Sequence, residues 1–170
     1  VEYICRRNRT KKLKKRSFDK PLAILVESFE WLAKNTELTL EQIAFLKKYH
    51  RPFTILTQSM PVRAYLEFST DDEEAFINKD IYKNISFRVA HHPSHKKLLK
   101  KTGPLWLTSA NIAAAGETYS SKKIQEDFGY QIQNREIEFL DVGELNKNTP
   151  ASDVFRFIGE SLEVEYVRKS

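Results

Sequence analysis

The chain has 170 residues, about the length of one domain, with 41% hydrophobic and 30% charged residues. Eleven Phe, seven Tyr and two Trp exclude a disordered chain, and the single Cys excludes a disulfide framework or a multi-cysteine zinc site. No apolar run approaches the ~18–20 residues of a membrane span, and none follows the basic start as in a signal peptide. We therefore expect a cytoplasmic protein without membrane association.

The positive charge is concentrated at the start of the chain. Residues 1–20 contain nine Lys/Arg against Glu2 and Asp19, whereas the other 150 residues carry 19 basic and 21 acidic groups. Such a basic block attracts the phosphates of a nucleotide or of a nucleic acid. The alternative is a solvated basic arm without a ligand.

The first half of the chain alternates predicted strands and helices. A short apolar run after Pro21 indicates a buried strand. Thr39 is a candidate N-cap for a helix in which Leu40, Ile43 and Leu46 share one side. The predicted elements are strand Pro21–Val26, helices Glu27–Asn35 and Leu40–His50, strands Phe53–Thr57, Val62–Phe68 and Ile85–Ala90, and a short helix or loop at Asp71–Asp80.

The second half contains more strands in succession. Gly103 and Gly129 are predicted to end two helices. The predicted elements are helix Ser94–Thr102, strand Pro104–Thr108, loop Ser109–Ser121, helix Ser121–Phe128, and strands Ile137–Val142, Ser152–Phe157 and Leu162–Val167. With no internal repeat and no linker, this order predicts one domain over residues 1–170, of the α/β (α+β-like) class, with helices flanking a mixed sheet.

Several common sites are excluded by residue spacing. The five glycines lie 13 or more residues apart, so neither a dinucleotide-binding fingerprint nor a P-loop is present. Any phosphate binding must then use side chains. The cluster of His91, His92 and His95 predicts a polar turn around Pro93. It does not predict a metal site, because no Cys or acidic residue accompanies the histidines. Trp31 and Trp106 lie in apolar surroundings and are predicted to pack in the core.

Four short motifs follow one another in the sequence. They are Lys14-Lys15-Arg16 followed by Lys20-Pro21-Leu22, then Arg51-Pro52-Phe53-Thr54, then Phe87-Arg88-Val89 before His92-Pro93, and Thr108-Ser109-Ala110-Asn111. In this order they resemble the YrdC-like family of threonylcarbamoyl-AMP synthases. The late residues Ser152 and Arg168 resemble its closing motif, so the resemblance covers about residues 10–168. It implies a twisted sheet with a basic concave face.

The resemblance also implies an activity. Members of the family are nucleotidyltransferases that make L-threonylcarbamoyl-AMP from L-threonine, bicarbonate and ATP, with Mg²⁺ and with release of pyrophosphate. The product serves partner enzymes that form threonylcarbamoyladenosine in tRNA. The reaction needs positively charged side chains beside the triphosphate, and short neutral hydrogen-bond donors at its phosphate oxygens.

By the same resemblance, Lys14 and Arg16 supply the charge, and Ser109 and Asn111 supply the neutral donors as the catalytic set. Arg168 joins Arg16, Ser109 and Asn111 in binding ATP. The implied threonine-site residues are Lys20, Thr54, Arg88, Thr108 and Ser152. The structural alternatives are a solvated basic block for Lys14 and Arg16, and ordinary turn formation for Ser109 and Asn111.

The sequence departs from the family pattern at its start. The family's first strand, which ends in Thr-Asp-Thr-Val-Tyr, is absent before the basic N-terminal segment 1–16, so either residues are missing or part of the pocket is lost. The family's Pro-Gly-Pro is replaced by His50-Arg51-Pro52. Two other interpretations remain open: a protein of this fold that binds structured RNA through its basic face without synthesis, and a degenerate relative kept as a partner protein.

Overall fold

The centre of the fold is a mixed β-sheet. A computed structural model describes residues 22–59, 85–112, 118–139, 141, 143–144, 146 and 151–170. In this part of the chain, the sheet has six strands in the order β4-β1-β3-β2-β5-β6. The pairs β1–β3 and β2–β5 are parallel and the other neighbours are antiparallel. The strands are β1 (Ala23–Val26), β2 (Phe53–Thr57), β3 (Ile85–Val89), β4 (Leu105–Leu107), β5 (Asp153–Phe157) and β6 (Val164–Arg168).

The described helices are α1 (Phe29–Asn35), α2 (Leu40–Lys48), α3 (Pro93–Thr102) and α4 (Ser121–Gln133). The expected mixed sheet with flanking helices is therefore confirmed. Thr39 caps α2 as predicted, and it forms a capping box because Gln42 Oε1 accepts a bond from the Thr39 backbone N–H. No described helix combines the length and the apolar character needed to cross a membrane.

One face of the sheet carries the main hydrophobic core, against which α1 and α2 pack. Phe87, Ile55 and Phe155 lie on neighbouring strands and are fully buried. Trp31 of α1 packs against Phe87 with tilted rings whose centroids are 5.8 Å apart, and Trp106 packs against the same core. Both tryptophans therefore have the predicted core position. We call this side the core face.

The opposite face is covered by α3 over β1 and β4. Leu99 of α3 joins Leu25, Ala90 and the partly buried Leu105 and Leu107 in a second, smaller core. This second core stops at β1. On β3, β2, β5 and β6 the same face carries polar side chains, which form the candidate site described below.

Two expectations in the C-terminal half were wrong. Helix α4 continues through Gly129 to Gln133, because the N–H of Asn134 still reaches the carbonyl of Tyr130. The segment Ile137–Val142 is not a strand at its described positions 137–139 and 141. Asp141 there accepts bonds from Ser121 Oγ and, at 2.8 Å, from the Gly143 N–H, which favours a turn over an extended strand. The predicted elements Val62–Phe68 and Asp71–Asp80 lie outside the described residues.

Candidate functional site

A row of side chains crosses the sheet on the face opposite the core face. Leu25 pairs with Arg88, Thr54 pairs with Val154, and Val154 pairs with Arg168. The register of β2 and β3 places Thr54 one position beyond the Ile55–Phe87 pair and hence opposite Arg88. Since paired residues in a sheet point to the same face, Arg88, Thr54, Val154 and Arg168 lie side by side. We call these four residues the cross-strand row.

Hydrogen bonds join one end of this row. The Arg168 guanidinium donates to the Ser152 carbonyl at 2.7 and 3.1 Å and to Ser152 Oγ at 3.0 Å. Ser152 Oγ lies 3.5 Å from Thr54 Oγ1, and both hydroxyl-bearing residues are buried. Three residues that the resemblance groups as site residues are therefore in contact, although 98 residues separate Thr54 from Ser152.

A β-bulge directs Arg168 to this face. Val164 and Tyr166 pair with Phe157 and Phe155, so they lie on the core face. Strict alternation would place Arg168 with them. The register shifts between Val154 and Phe155, however, and Arg168 pairs with Val154. The bulge thus returns an arginine to the polar side of the sheet, a common use of this irregularity.

The cross-strand row carries two positive charges that repel each other. Burial lowers the pKa of the Arg88 guanidinium, and repulsion from Arg168 lowers it further. Among the described residues, no carboxylate forms an ion pair with Arg88 or Arg168. Two guanidiniums on one face of the sheet, one of them half-buried and neither paired with a described carboxylate, favour the binding of an anion at this face.

Asp153 supports this end of the sheet from the core face. Its side chain is fully buried and accepts bonds from the Tyr49 hydroxyl at 2.7 Å and the Ser170 N–H at 2.8 Å. The Ser170 bond and then the Tyr49 bond hold the pKa of the Asp153 carboxyl below its usual range. The Ser170 bond ties the start of β5 to the end of β6, next to Ser152 and Arg168, and the Tyr49 bond ties it to the residue that follows α2.

Sequence reasoning missed Asp153. The available signal was a single acidic residue at the start of a strand whose other core-face residues, Phe155 and Phe157, are aromatic. Arg51, part of a quoted motif, also contacts this network: its Nε lies 3.5 Å from Asp153 Oδ2, and it donates to the Ser170 carbonyl. Arg51 is therefore part of the framework on the core face and does not face the cross-strand row.

The Thr108-Ser109-Ala110-Asn111 motif lies toward the other end of β1. Leu107 pairs with Ala23, at the start of β1, whereas Arg88 pairs with Leu25 near its end. Ser109 Oγ donates to Asn111 Oδ1 at 2.5 Å. The motif therefore follows the end of β4 that lies beside the start of β1, whereas the cross-strand row crosses the sheet near the end of β1. The predicted site residues Lys14, Arg16 and Lys20 lie outside the described residues.

The histidine cluster has a structural role at the start of α3. His92 Nδ1 accepts a bond from the Ser94 N–H at 3.3 Å and thereby caps the helix, in which Pro93 occupies the first turn. The His95 ring lies tilted against that of His92, with centroids 5.6 Å apart. Within the described ranges, no group of three or more His, Cys, Asp or Glu residues is placed to hold a metal ion.

Comparison with known proteins places the chain in a family. The sequence model for Sua5, YciO and YrdC proteins, described as "Telomere recombination", matches residues 7–170. The chain therefore belongs to the Sua5/YciO/YrdC family, as the motifs indicated. Members of this family include nucleotidyl-transfer enzymes.

Solved structures of related proteins share the fold. P. abyssi Sua5 complexed with L-threonine superposes with a TM-score of 0.68 at 22% identity, over 95% of this chain and 43% of that one. E. coli YciO gives 0.67 at 12% identity, over 96% and 72%. Full-length HypF in its phosphate- and nucleotide-bound form gives 0.63 at 17%, over 93% and 22%. The chain thus spans less than half of the Sua5 chain that it matches.

Proposed function

We propose that this protein binds L-threonine and ATP and forms threonylcarbamoyl-AMP from them and bicarbonate, as a step toward threonylcarbamoyladenosine in tRNA. The observation that carries the proposal is the cross-strand row together with Ser152: Arg88 lies opposite Thr54, and Arg168 donates to the Ser152 hydroxyl. Family membership and the threonine complex of a Sua5 structure support the same assignment.

The row suits the anionic part of threonine. Arg88 supplies a half-buried cation whose charge is worth more than at an exposed position, because the surroundings screen it less. Arg168 is fixed by Ser152, so little side-chain entropy is lost when an anion binds. A carboxylate or a carbamate here would accept charge-assisted hydrogen bonds from the guanidiniums.

The nucleotide part of the proposal rests on the remaining motif residues. Lys14, Arg16 and Arg168 would neutralise phosphate charge. Ser109 and Asn111 would donate to phosphate oxygens, and Lys20 and Thr108 would adjoin the threonine. The bond that forms joins a carbamate oxygen to the α-phosphorus, and the bond that breaks releases pyrophosphate. Holding both anions close together is the main task of the protein in such a reaction.

Magnesium fits this site only as part of the nucleotide. The described row offers guanidiniums and hydroxyls but no carboxylate, and Mg²⁺ prefers carboxylate and phosphate oxygens. ATP would therefore bring the ion on its own phosphates, where it neutralises charge. No role of the described side chains in the proposal depends on contact with the metal.

The proposal is tested by substituting Arg88. Arg88→Gln removes one charged donor while keeping a polar side chain, and a charge-assisted hydrogen bond is worth about 1.5–3 kcal/mol. We expect threonine affinity, measured by calorimetry, to fall by about 10–100-fold. Pyrophosphate release should require threonine and bicarbonate together and should fall with the affinity.

Arg156→Gln is the matched control. Arg156 lies on the same face of the sheet, but Glu165 already neutralises it through bonds of 2.8 and 2.9 Å. The charge change is identical, so an effect of net charge alone would appear in both variants. Equal losses in the two variants, or pyrophosphate release that ignores threonine, would contradict the proposal.

A further inference from the structure

Helix α2 and strand β6 form a surface at the edge of the sheet that the proposed synthesis does not use. β6 is the last strand of the described sheet, so no described strand pairs with its outer side. Gln42 joins the start of α2 to the turn before β6, and the hydroxyls of Tyr49 and Tyr166 lie 3.2 Å apart at the other end. α2 and β6 therefore run side by side in the same direction. We call residues 40–49 and 158–169 the α2–β6 surface.

The centre of the α2–β6 surface is apolar and incompletely covered. Phe157 pairs with Val164 and packs edge-on against Phe45 of α2, with ring centroids 5.5 Å apart. These three side chains are only partly buried, and Tyr166 and Leu162 are exposed by 36% and 47%. Apolar side chains on the β6 side of α2 thus remain in contact with water. Such a patch within a polar surface is typical of a site of association.

Opposite charges lie at the two ends of this surface. Within the part of the chain that the structure describes, five exposed side chains here form no ion pair: Glu41, Glu160 and Glu163 near the turn, and Lys48 and Lys169 at the other end. Lys169 Nζ lies 5.0 Å from the centre of the Tyr166 ring, on the core-face side of β6. Glu41 and Lys48 are about 10 Å apart along the helix axis. The α2–β6 surface is therefore acidic at one end and basic at the other.

We infer that the α2–β6 surface binds a second copy of this chain around a twofold axis perpendicular to α2. Such an axis reverses the direction of the partner's surface, so the acidic end of each copy meets the basic end of the other, with the apolar centres in contact. The charge pattern favours this partner, because a basic ligand would be repelled at one end and an acidic ligand at the other.

The two copies meet through side chains and not by extension of the sheet. The register shift between β5 and β6 leaves a bulge near Val167. A bulge on an edge strand twists it and opposes pairing with another strand. The apolar centre lies on the core-face side, whereas the cross-strand row lies on the opposite face of the sheet. The dimer therefore leaves the candidate site open.

The first experiment measures the molar mass by sedimentation equilibrium over a range of protein concentrations, without ATP or threonine. The parent protein should show a monomer–dimer equilibrium. Leu162→Ser removes an exposed apolar side chain from each copy and should weaken the dimer about 10-fold. Leu98→Ser is the matched control, because Leu98 is also 47% exposed but lies on α3, which covers the opposite face. It should leave the dimer constant unchanged.

Charge reversal tests the twofold arrangement. Glu160→Lys with Glu163→Lys makes both ends net basic, and Lys48→Glu with Lys169→Glu makes both ends acidic. Each double variant alone should dimerise about 10–100-fold more weakly than the parent, because like charges then face each other at both ends. An equimolar mixture of the two should regain dimers, since each end again faces the opposite charge. Circular dichroism checks that every variant keeps its fold.

Three results would overturn the inference. They are a parent protein that is monomeric at every concentration, equal losses in the two Leu variants, and a mixture of the charge variants that dimerises no more tightly than either alone. The first result would assign the α2–β6 surface to a different protein. Because no substrate is present, each outcome is independent of the proposed synthesis.

Discussion

Gln42 links helix α2 to the turn between β5 and β6, the two strands that bring Ser152 and Arg168 together. Its side chain is buried, and Nε2 donates to the carbonyls of Gly159 and Ser161 at 2.9 Å each. Oε1 accepts the Thr39 N–H at 3.1 Å. We predict that Gln42→Met, which keeps the length of the side chain, removes these three bonds at about 1 kcal/mol each. Water at the exposed turn can bond to the freed carbonyls and offsets part of this loss, so the unfolding free energy should fall by about 2 kcal/mol in total.

Gln42→Glu gives a sharper test of the same contact. The introduced carboxylate can still accept the Thr39 N–H, but it faces two carbonyl oxygens without a proton to donate. The cost of such a buried, unpaired charge is about 3–5 kcal/mol at neutral pH. The pKa of the introduced group is then raised in the folded state, so the penalty should shrink as the pH falls through that pKa toward the unfolded value of about 4.3.

Urea unfolding of the two variants and the parent protein over a range of pH measures both effects. The parent protein and the Met variant provide the baseline for other titrating groups. A gap between the parent protein and the Glu variant that does not depend on pH would refute the reasoning. So would a loss below about 0.5 kcal/mol in the Met variant, since the two carbonyls would then not depend on Gln42.

Two further predictions concern Asp153 and Gly129. Because the pKa of Asp153 is lowered in the folded state, its contribution to stability is present above the unfolded-state pKa and is lost as the pH falls through the folded value. Asp153→Asn should therefore reduce stability and threonine affinity at neutral pH, and a stability gap that persists in acid would contradict this assignment. Gly129→Ala should raise the unfolding free energy by about 0.5–1 kcal/mol, because Gly129 lies inside α4 and no atom lies within 4 Å of the added Cβ. A lower melting temperature would refute this prediction.

The sequence was sufficient to predict the elements whose pattern is local. β2 and β3 are apolar, β-branched or alternating runs, and the Thr39 cap with Gln42 three residues later is a local signal for the start of α2. Gly129 shows the limit of such signals, since α4 continues through it to Gln133 although glycine favours helix ends.

The candidate site depended on information that is not local. The motifs identified Arg88, Ser152 and Arg168 as a group, but their placement in one row requires the strand order and the register. The bulge near Arg168 reverses the side that simple alternation assigns to it. The buried position of Asp153 likewise depends on two partners that no local pattern identifies. Tyr49 lies far earlier in the chain, and Ser170 follows 17 residues later.

The parallel pairing of β2 with β5 has a consequence for how the chain folds. Phe53 pairs with Asp153, one hundred residues later in the chain, so the middle of the sheet closes through long-range contacts. The entropy of closing such a loop is lost before the contacts compensate for it, which slows folding. Until β5 docks, β2 has an unpaired edge beside Phe53 and Ile55, a hazard for aggregation. The local β5–β6 hairpin can form early, but Thr54 and Ser152 meet only in the closing step. A folding intermediate without this step would contain most of the helices and no candidate site.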